Sequence, residues 1–320
     1  MSDATQAAPL RTAVIGVGYL GRFHAQKYAQ LAGSKLVGVV DANSDARTKV
    51  AAELSTQAFG DYRDLFGKVD AVSLAVPTPM HHAIGCELLR NGIDVLIEKP
   101  IATTVSEARE LVDLAQKHGR VLQVGHLERF NPAVLAAAER LRTPRFVESH
   151  RLAPFKQRGT DVSVVLDLMI HDIDLIQELV GTPIESIDAV GASVFSGEID
   201  IVNARLRFKG GCVANTTASR ISLKQERKIR IFQDDAYLSV DMQQKILTVI
   251  RKKDQAPVES PAQVSIEEES FDQGDALLAE IEAFLKAVRE RSTPVVTGED
   301  GLRALETAMK ITALVQKSAG

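Results

Sequence analysis

Cysteine is scarce: Cys86 and Cys212 are the two in 320 residues. Two thiols cannot build a disulfide framework or a four-cysteine zinc site, and both read as small core residues. An excess of one charge is lacking as well. Lys and Arg number 38 against 42 Asp and Glu, for a net charge of -4. That leaves no electrostatic footprint for nucleic acid or for an anionic membrane surface. No apolar run reaches the length of a membrane span. Residues 1–9 have no basic segment followed by an apolar core, so they are expected to be a short disordered lead-in and not a secretion signal. A secreted mini-protein, a membrane protein and a fibrous repeat are excluded, and a reducing, cytoplasmic setting is the default expectation. What remains is a globular composition, 45% hydrophobic and 25% charged, at a length that suggests two domains.

The first third alternates strands over 12–15, 36–40, 70–76, 94–97 and 121–124 with helices over 19–32, 81–91 and 104–118, and with a further helical stretch ending near 54. Thr104 and Glu107 have capping-box spacing. This alternation implies βαβ units and a parallel sheet. Beyond about Gly125 the texture changes. A helix over 132–141, a strand over 145–155 and a long helix over 162–180 lead to Gly181 and Pro183, a stop signal. Strands follow over 184–195, 199–208, 212–221, 228–233, 237–241 and 245–250, with turns at Lys209-Gly210-Gly211 and Asp234-Asp235. Residues 252–269 read as polar loop, and the acidic run Glu267 to Glu269 as a solvated loop or a strand edge. Helices over 275–291 and 298–316 close the chain.

Gly16-Val17-Gly18-Tyr19-Leu20-Gly21 is G-x-G-x-x-G between a strand and a helix. Gly16 permits the tight turn, Gly18 leaves room for a pyrophosphate, and Gly21 lets helix and strand pack closely. Asp41 ends the next strand, twenty residues past Gly21. A carboxylate there accepts hydrogen bonds from a ribose diol and repels a 2′-phosphate, which favours NAD over NADP. Arg47 lies too far along the following helix to reverse that.

Glu98-Lys99-Pro100 sits at the carboxyl end of a parallel strand, where ligands bind, so Lys99 is placed to face a ligand beside the cofactor. On the long helix, Asp167, His171 and Asp174 are i, i+4 and i+7 and share one face. A histidine flanked by carboxylates can hold one tautomer and accept a proton near neutral pH. The same residues would suit a two-carboxylate, one-histidine metal site or a structural histidine. The cofactor already explains the chemistry, so no metal is expected.

Gly16, Gly18, Gly21 and His24, with Asp41, Glu98-Lys99-Pro100 and Asp167-x-x-x-His171-x-x-Asp174, resemble the glucose–fructose oxidoreductase/inositol dehydrogenase (Gfo/Idh/MocA) family over nearly the whole chain. The resemblance implies an α/β Rossmann domain with a parallel sheet over 1–125. It also implies an α/β domain with a large open, mainly antiparallel sheet over 126–297, and a closing helix, 298–316, packed back on the first domain. It implies NAD-dependent oxidation of a sugar or cyclic polyol, with Lys99, Asp167 and His171 catalytic. Val17, Tyr19, Leu20, Pro77, Thr78, His81 and Glu98 would join the glycines and Asp41 around the cofactor. Gly125-His126-Leu127-Glu128-Arg129-Phe130-Asn131-Pro132, together with Asp167-Leu168-Met169-Ile170-His171-Asp172, is similar to the branch that oxidises the 3-hydroxyl of UDP-N-acetylglucosamine ahead of 2,3-diamino sugar synthesis for lipid A or another surface glycan. Arg129, Asn131 and Asp174, with Lys99 and His171, are then candidate contacts to the nucleotide-sugar substrate. Another sugar or polyol dehydrogenase, acting on a UDP-hexuronic acid or inositol, is the alternative within enzymes. A non-catalytic NAD-binding regulator, or an enzyme that uses transient oxidation for non-redox chemistry, is the alternative outside them. His82, His118 and His150 read as surface or structural. The second sheet, with about six strands and one covering helix, is expected to leave one face exposed and apolar for a homodimer or homotetramer, and the alternation of Val202, Ala204, Leu206 and Phe208 suggests burial on one side.

Overall fold

Short runs of Val, Ile, Leu and Ala carry the first sheet. A computed structural model of the chain describes residues 8–155, 163–253, 260–271 and 274–318; most of the lead-in, and the predicted helix start at Val162, lie outside them. The chain divides into two units, Met1–His126 with Leu277–Leu302, and Leu127–Ala276 with Arg303–Gly320. In the first, strands β1 (Leu10–Ile15), β2 (Ser34–Val40), β3 (Gln57–Phe59), β4 (Ala71–Leu74), β5 (Asp94–Glu98) and β6 (Leu122–Gly125) form one sheet in the order β3-β2-β1-β4-β5-β6. Every pairing is parallel. Such strands are covered on both faces, which is why β4 and most of β5 are continuous buried runs. The order reverses between β1 and β4, which opens a crevice beyond their carboxyl ends.

Helices α1 (Tyr19–Gln30), α2 (Ser44–Glu53), α3 (His81–Arg90) and α4 (Val105–Lys117) connect the strands. The expected capping box starts α4: Glu107 N–H donates to Thr104 Oγ1 at 3.2 Å, and Thr104 N–H donates to the Glu107 carboxylate at 3.0 Å. A cap of this kind contributes about 1 kcal/mol.

Eight strands form the sheet of the second unit: β7 (Pro144–Leu152), β8 (Ile184–Ala192), β9 (Ile201–Phe208), β10 (Val213–Ser219), β11 (Glu226–Gln233), β12 (Ala236–Asp241), β13 (Ile246–Lys252) and β14 (Val264–Ser270). Their order is β14-β13-β12-β11-β7-β10-β9-β8. The β7–β10 pair is parallel and the other pairs are antiparallel. The strand β14 falls in the segment read as loop. Its acidic run alternates sides at the sheet edge, and Glu269 pairs with Arg140. The Gly210-Gly211 turn forms as expected, with φ of +106° and +91°, and Gly181 stops its helix at φ +68°.

Three helices, not one, cover this sheet. Residues of α5 (Pro132–Arg140), α6 (Ile170–Val180) and α8 (Gly298–Ser318) share one core with Val202, Ala204, Leu206 and Phe208. Those four residues therefore lie on the covered face, and among the described residues the opposite face is the open one. The closing helix also departs from expectation. In the first core, α7 (Ala276–Glu290) supplies Ile281, Phe284, Leu285 and Val288. Only the start of α8 belongs there, where a Cβ on Gly301 would stand 2.6 Å from Val124. Ala304, Ala308, Ile311 and Val315 lie in the second core. Both helices carry apolar residues at three- and four-residue spacing, so period alone does not say which sheet each serves.

Candidate active site

The nucleotide crevice is built by the first unit. Gly16 has φ +85°, and a Cβ on Gly21 would stand 1.8 Å from the Gly16 carbonyl oxygen, so neither position admits a side chain. A Cβ on Gly18 would meet nothing within 4 Å; the space above it is open. Gly18 is the N-cap of α1 and offers no side-chain cap, which leaves the positive end of the helix dipole for an anion. Beside it lies a cavity of about 720 Å³ whose walls include Gly16, Gly18, Tyr19, Leu20, Asp41 and Pro77. The Asp41 carboxylate accepts N–H bonds from Val17 at 2.9 Å and Asn43 at 2.8 Å, and these fix it at the rim. An open site over Gly18, an uncapped helix N-terminus and a fixed carboxylate fit a dinucleotide.

Val17, Thr78, His81 and Glu98, expected around the cofactor, are not among the residues that line this cavity. Val17 is buried, and its N–H serves Asp41. Thr78 opens a 3₁₀ turn, Thr78–Met80, next to the buried His81. The His81 ring nitrogens lie 2.9 Å from the Pro100 carbonyl oxygen and 2.8 Å from that of Val76. His81 thus ties together the segments after β4 and β5 and does not line the cavity, and burial lowers its pKa. Glu98 faces His24, whose Nε2 lies 2.9 Å from Oε1 of Glu98. The sequence reading missed the wall formed by Gly60, Asp61, Tyr62 and Arg63; the Asp61 cap on Arg63 N–H, 2.9 Å, was its available signal. Arg47 also lies nearer than expected, donating to the Asp41 and Ala42 carbonyl oxygens at 3.1 and 3.2 Å. Lys99 follows β5 directly and is half-buried.

In the second unit, a π-helical turn, Val165–Met169, precedes α6. A π turn holds more residues than an α turn, so the step from Asp167 to His171 stays close to one full turn and both remain on one face. Such turns recur at functional sites. Asp167 is exposed and His171 half-buried. Asp174 turns away from that face. It is buried and takes two bonds from Arg129, at 2.6 and 2.9 Å, while the third Arg129 nitrogen lies 2.9 Å from Glu178. Asn131 caps α5 through Ala133 N–H at 3.1 Å and donates to the Met242 carbonyl oxygen at 2.9 Å. The expected substrate contacts Arg129, Asn131 and Asp174 are thus engaged within their own unit, where they anchor α5 and α6. Sequence reasoning also missed Arg151, which is buried and bonded to both Asp172 oxygens at 3.0 Å and to Glu128 at 3.0 Å. Burial pushes the Asp172 carboxyl up, and the Arg151 charge opposes that push. Among the described residues, no helix is long and apolar enough to cross a membrane.

Comparison with known proteins follows the same division. An oxidoreductase family with an NAD-binding Rossmann fold matches residues 10–126, and the C-terminal alpha/beta domain of that family matches residues 142–319. The chain is 39% identical over 310 residues to a UDP-N-acetylglucosamine 3-dehydrogenase of Acidithiobacillus ferrooxidans, covering 96% of this chain and 97% of that one. A solved structure of the Acidithiobacillus ferrooxidans enzyme matches with a TM-score of 0.90 over 96% of this chain and 98% of that chain. A scyllo-inositol 2-dehydrogenase (NAD(+)) of Bacillus subtilis is 25% identical over 325 residues, 95% of this chain and 93% of that one. With an NAD-binding Rossmann unit and the family's second domain accounting for nearly its whole length, the chain belongs to the Gfo/Idh/MocA oxidoreductase family.

Proposed function

We propose that this chain is an NAD-dependent dehydrogenase that oxidises the 3-hydroxyl of UDP-N-acetylglucosamine to the 3-keto nucleotide sugar. The observation that carries the reading is the 39% identity with a UDP-N-acetylglucosamine 3-dehydrogenase across nearly the full length of both chains. Gly16, Gly18, Tyr19, Leu20, Gly21 and Asp41 would hold the cofactor, with Pro77 at its rim. Bound NAD would supply the hydride acceptor. His171 takes the hydroxyl proton as C3–H is broken, and Asp167 orients the imidazole and stabilises its cation. Lys99 donates a hydrogen bond to the reacting oxygen. Arg129 and Asp174 act one step removed, by holding the helix that carries His171. The Asp41 carboxylate favours NAD over NADP.

A ketone beside an N-acetylated carbon suits transamination to a 2,3-diamino sugar, and we place the enzyme upstream of such a step in lipid A or surface-glycan synthesis. Free, buried Cys86 and Cys212 accord with a reducing cytoplasm. The open face of the eight-stranded sheet supports a homodimer or homotetramer.

Incubation with NAD and a panel of nucleotide sugars and inositols, with NADH and product mass followed, tests the reading. The expected result is net NADH with UDP-N-acetylglucosamine and a product lighter by two hydrogens. Turnover confined to inositols, or product without net NADH, would replace it.

A further inference from the structure

Within the first unit, a row of polar side chains runs to Glu98, the chain neighbour of Lys99. Tyr28 Oη lies 2.9 Å from Ser73 Oγ, Ser73 Oγ lies 3.0 Å from His24 Nδ1, and His24 Nε2 lies 2.9 Å from Glu98 Oε1. Direction follows from the inventory of donors. A Glu98 carboxylate only accepts, so Nε2 carries hydrogen and donates to it. In neutral His24, Nδ1 then accepts from the Ser73 hydroxyl, which accepts from Tyr28. Every member has a partner except the residue that closes the cluster. Glu280 of α7 is 0% exposed, and neither of its carboxyl oxygens has a hydrogen-bond partner among the described residues. One of those oxygens lies within 4.8 Å of both a Glu98 carboxylate oxygen and a His24 ring nitrogen. Gln123 Nε2 donates to the Glu280 backbone carbonyl at 3.1 Å and leaves the side chain alone.

We propose that Glu280 is held as a neutral carboxylic acid at physiological pH, and that it is a positioning residue keeping a single negative charge, that of Glu98, beside Lys99. The functional half rests on the proposed role of Lys99. Two carboxylates this close in a buried setting cannot both ionise at ordinary cost. The charged and titratable groups of the cluster are His24 and Tyr28 of α1, Glu98 of β5 and Glu280 of α7, with His81 and Lys99 acting on Glu98. Burial raises a carboxyl, but the hydrogen bond and charge interaction with His24, followed by the charges of Lys99 and His81, hold Glu98 below the usual range. Burial and the Glu98 charge both push Glu280 up. The proton therefore belongs on Glu280. A bound cation is disfavoured, because the 2.9 Å His24–Glu98 contact already holds a proton where a metal would need a lone pair. A neutral Glu280 leaves Glu98 as the one anion of the cluster.

Infrared spectroscopy of the full-length protein at neutral pH should show a carboxylic-acid carbonyl band that shifts in heavy water and is absent from Glu280→Gln. Stability carries the same signature. A folded-state pKa above the ordinary carboxyl value favours the fold at low pH and loses that advantage as pH rises. The unfolding constant of the wild type should therefore rise relative to that of Glu280→Gln, by up to tenfold per pH unit, until the raised pKa is passed. Glu280→Leu, an apolar replacement, should remain folded. Absence of the band from the wild type, parallel pH profiles for wild type and Glu280→Gln, or a stoichiometric divalent metal in the purified protein would each overturn the proposal. None of these readouts needs turnover, so they stand apart from the fate of the nucleotide-sugar reading.

Discussion

Replacement of His171 by Ala should lower kcat by ~10²–10⁴-fold, the usual loss with a positioned general base. NAD affinity should stay near the parent value, because the glycine turn and Asp41 belong to the first unit. Stopped-flow kinetics and cofactor titration check both halves, and a rate within threefold of the parent would shift the base role to Lys99. Asp174→Ala has a different expected signature. Loss of one partner from the buried Arg129–Asp174 pair leaves a desolvated charge and should cost about 3–5 kcal/mol of stability, read as a lowered urea midpoint. A substrate contact would instead raise KM with stability intact. Asp41 makes the third test at this scale: kcat/KM should favour NAD over NADP, and equal use of both would mean that nearby Arg47 neutralises the carboxylate.

Among the elements, the loop between β8 and β9 offers a clean titration. The buried Asp200 carboxylate takes N–H bonds from Val194, Phe195 and Ser196 at 2.8, 2.7 and 3.0 Å, and a hydroxyl bond from Ser196 at 2.6 Å. Burial alone would raise its pKa; these bonds outweigh it and lower the value to about 2. The contribution is present above the ordinary carboxyl pKa and is lost as pH falls toward 2, roughly 2 kcal/mol in all. Asp200→Asn should remove it at neutral pH and flatten the acid limb of the denaturation midpoint. Much of the element pattern was legible. The Thr104–Glu107 box, the Gly181 stop and the glycine fingerprint each encode a local geometry in a few adjacent residues. The edge strand β14 was legible only as an alternative at the run Glu267 to Glu269, because an edge needs only one neighbour and tolerates such charges. The π turn was hidden, since an i, i+4 spacing reads the same in either helix type. Arg129 and Asp174 looked like ligand contacts because exposed and buried charges share one alphabet; their mutual commitment spans 45 positions and only folding reveals it.

For the molecule as a whole, the uncovered sheet face predicts self-association. It carries Phe146, Phe232 and Tyr237 in contact, with ring centroids 5.6 and 4.9 Å apart, beside the Arg230–Glu148 pair at 2.7 Å. Light scattering at micromolar concentration should give at least twice the chain mass, and Phe232→Asp should reduce it to one chain. A monomeric parent would count against the face as an interface. The division of the chain has another consequence, in the order of its birth. Val14, Tyr28, Val39 and Leu96 leave the ribosome early, yet the core they form is completed by Ile281, Phe284 and Val288. While the whole second sheet is being synthesised, the nucleotide-binding half waits with one flank bare. A chain stopped near residue 126 would carry every glycine of the fingerprint and still lack the wall that lets them stand in water.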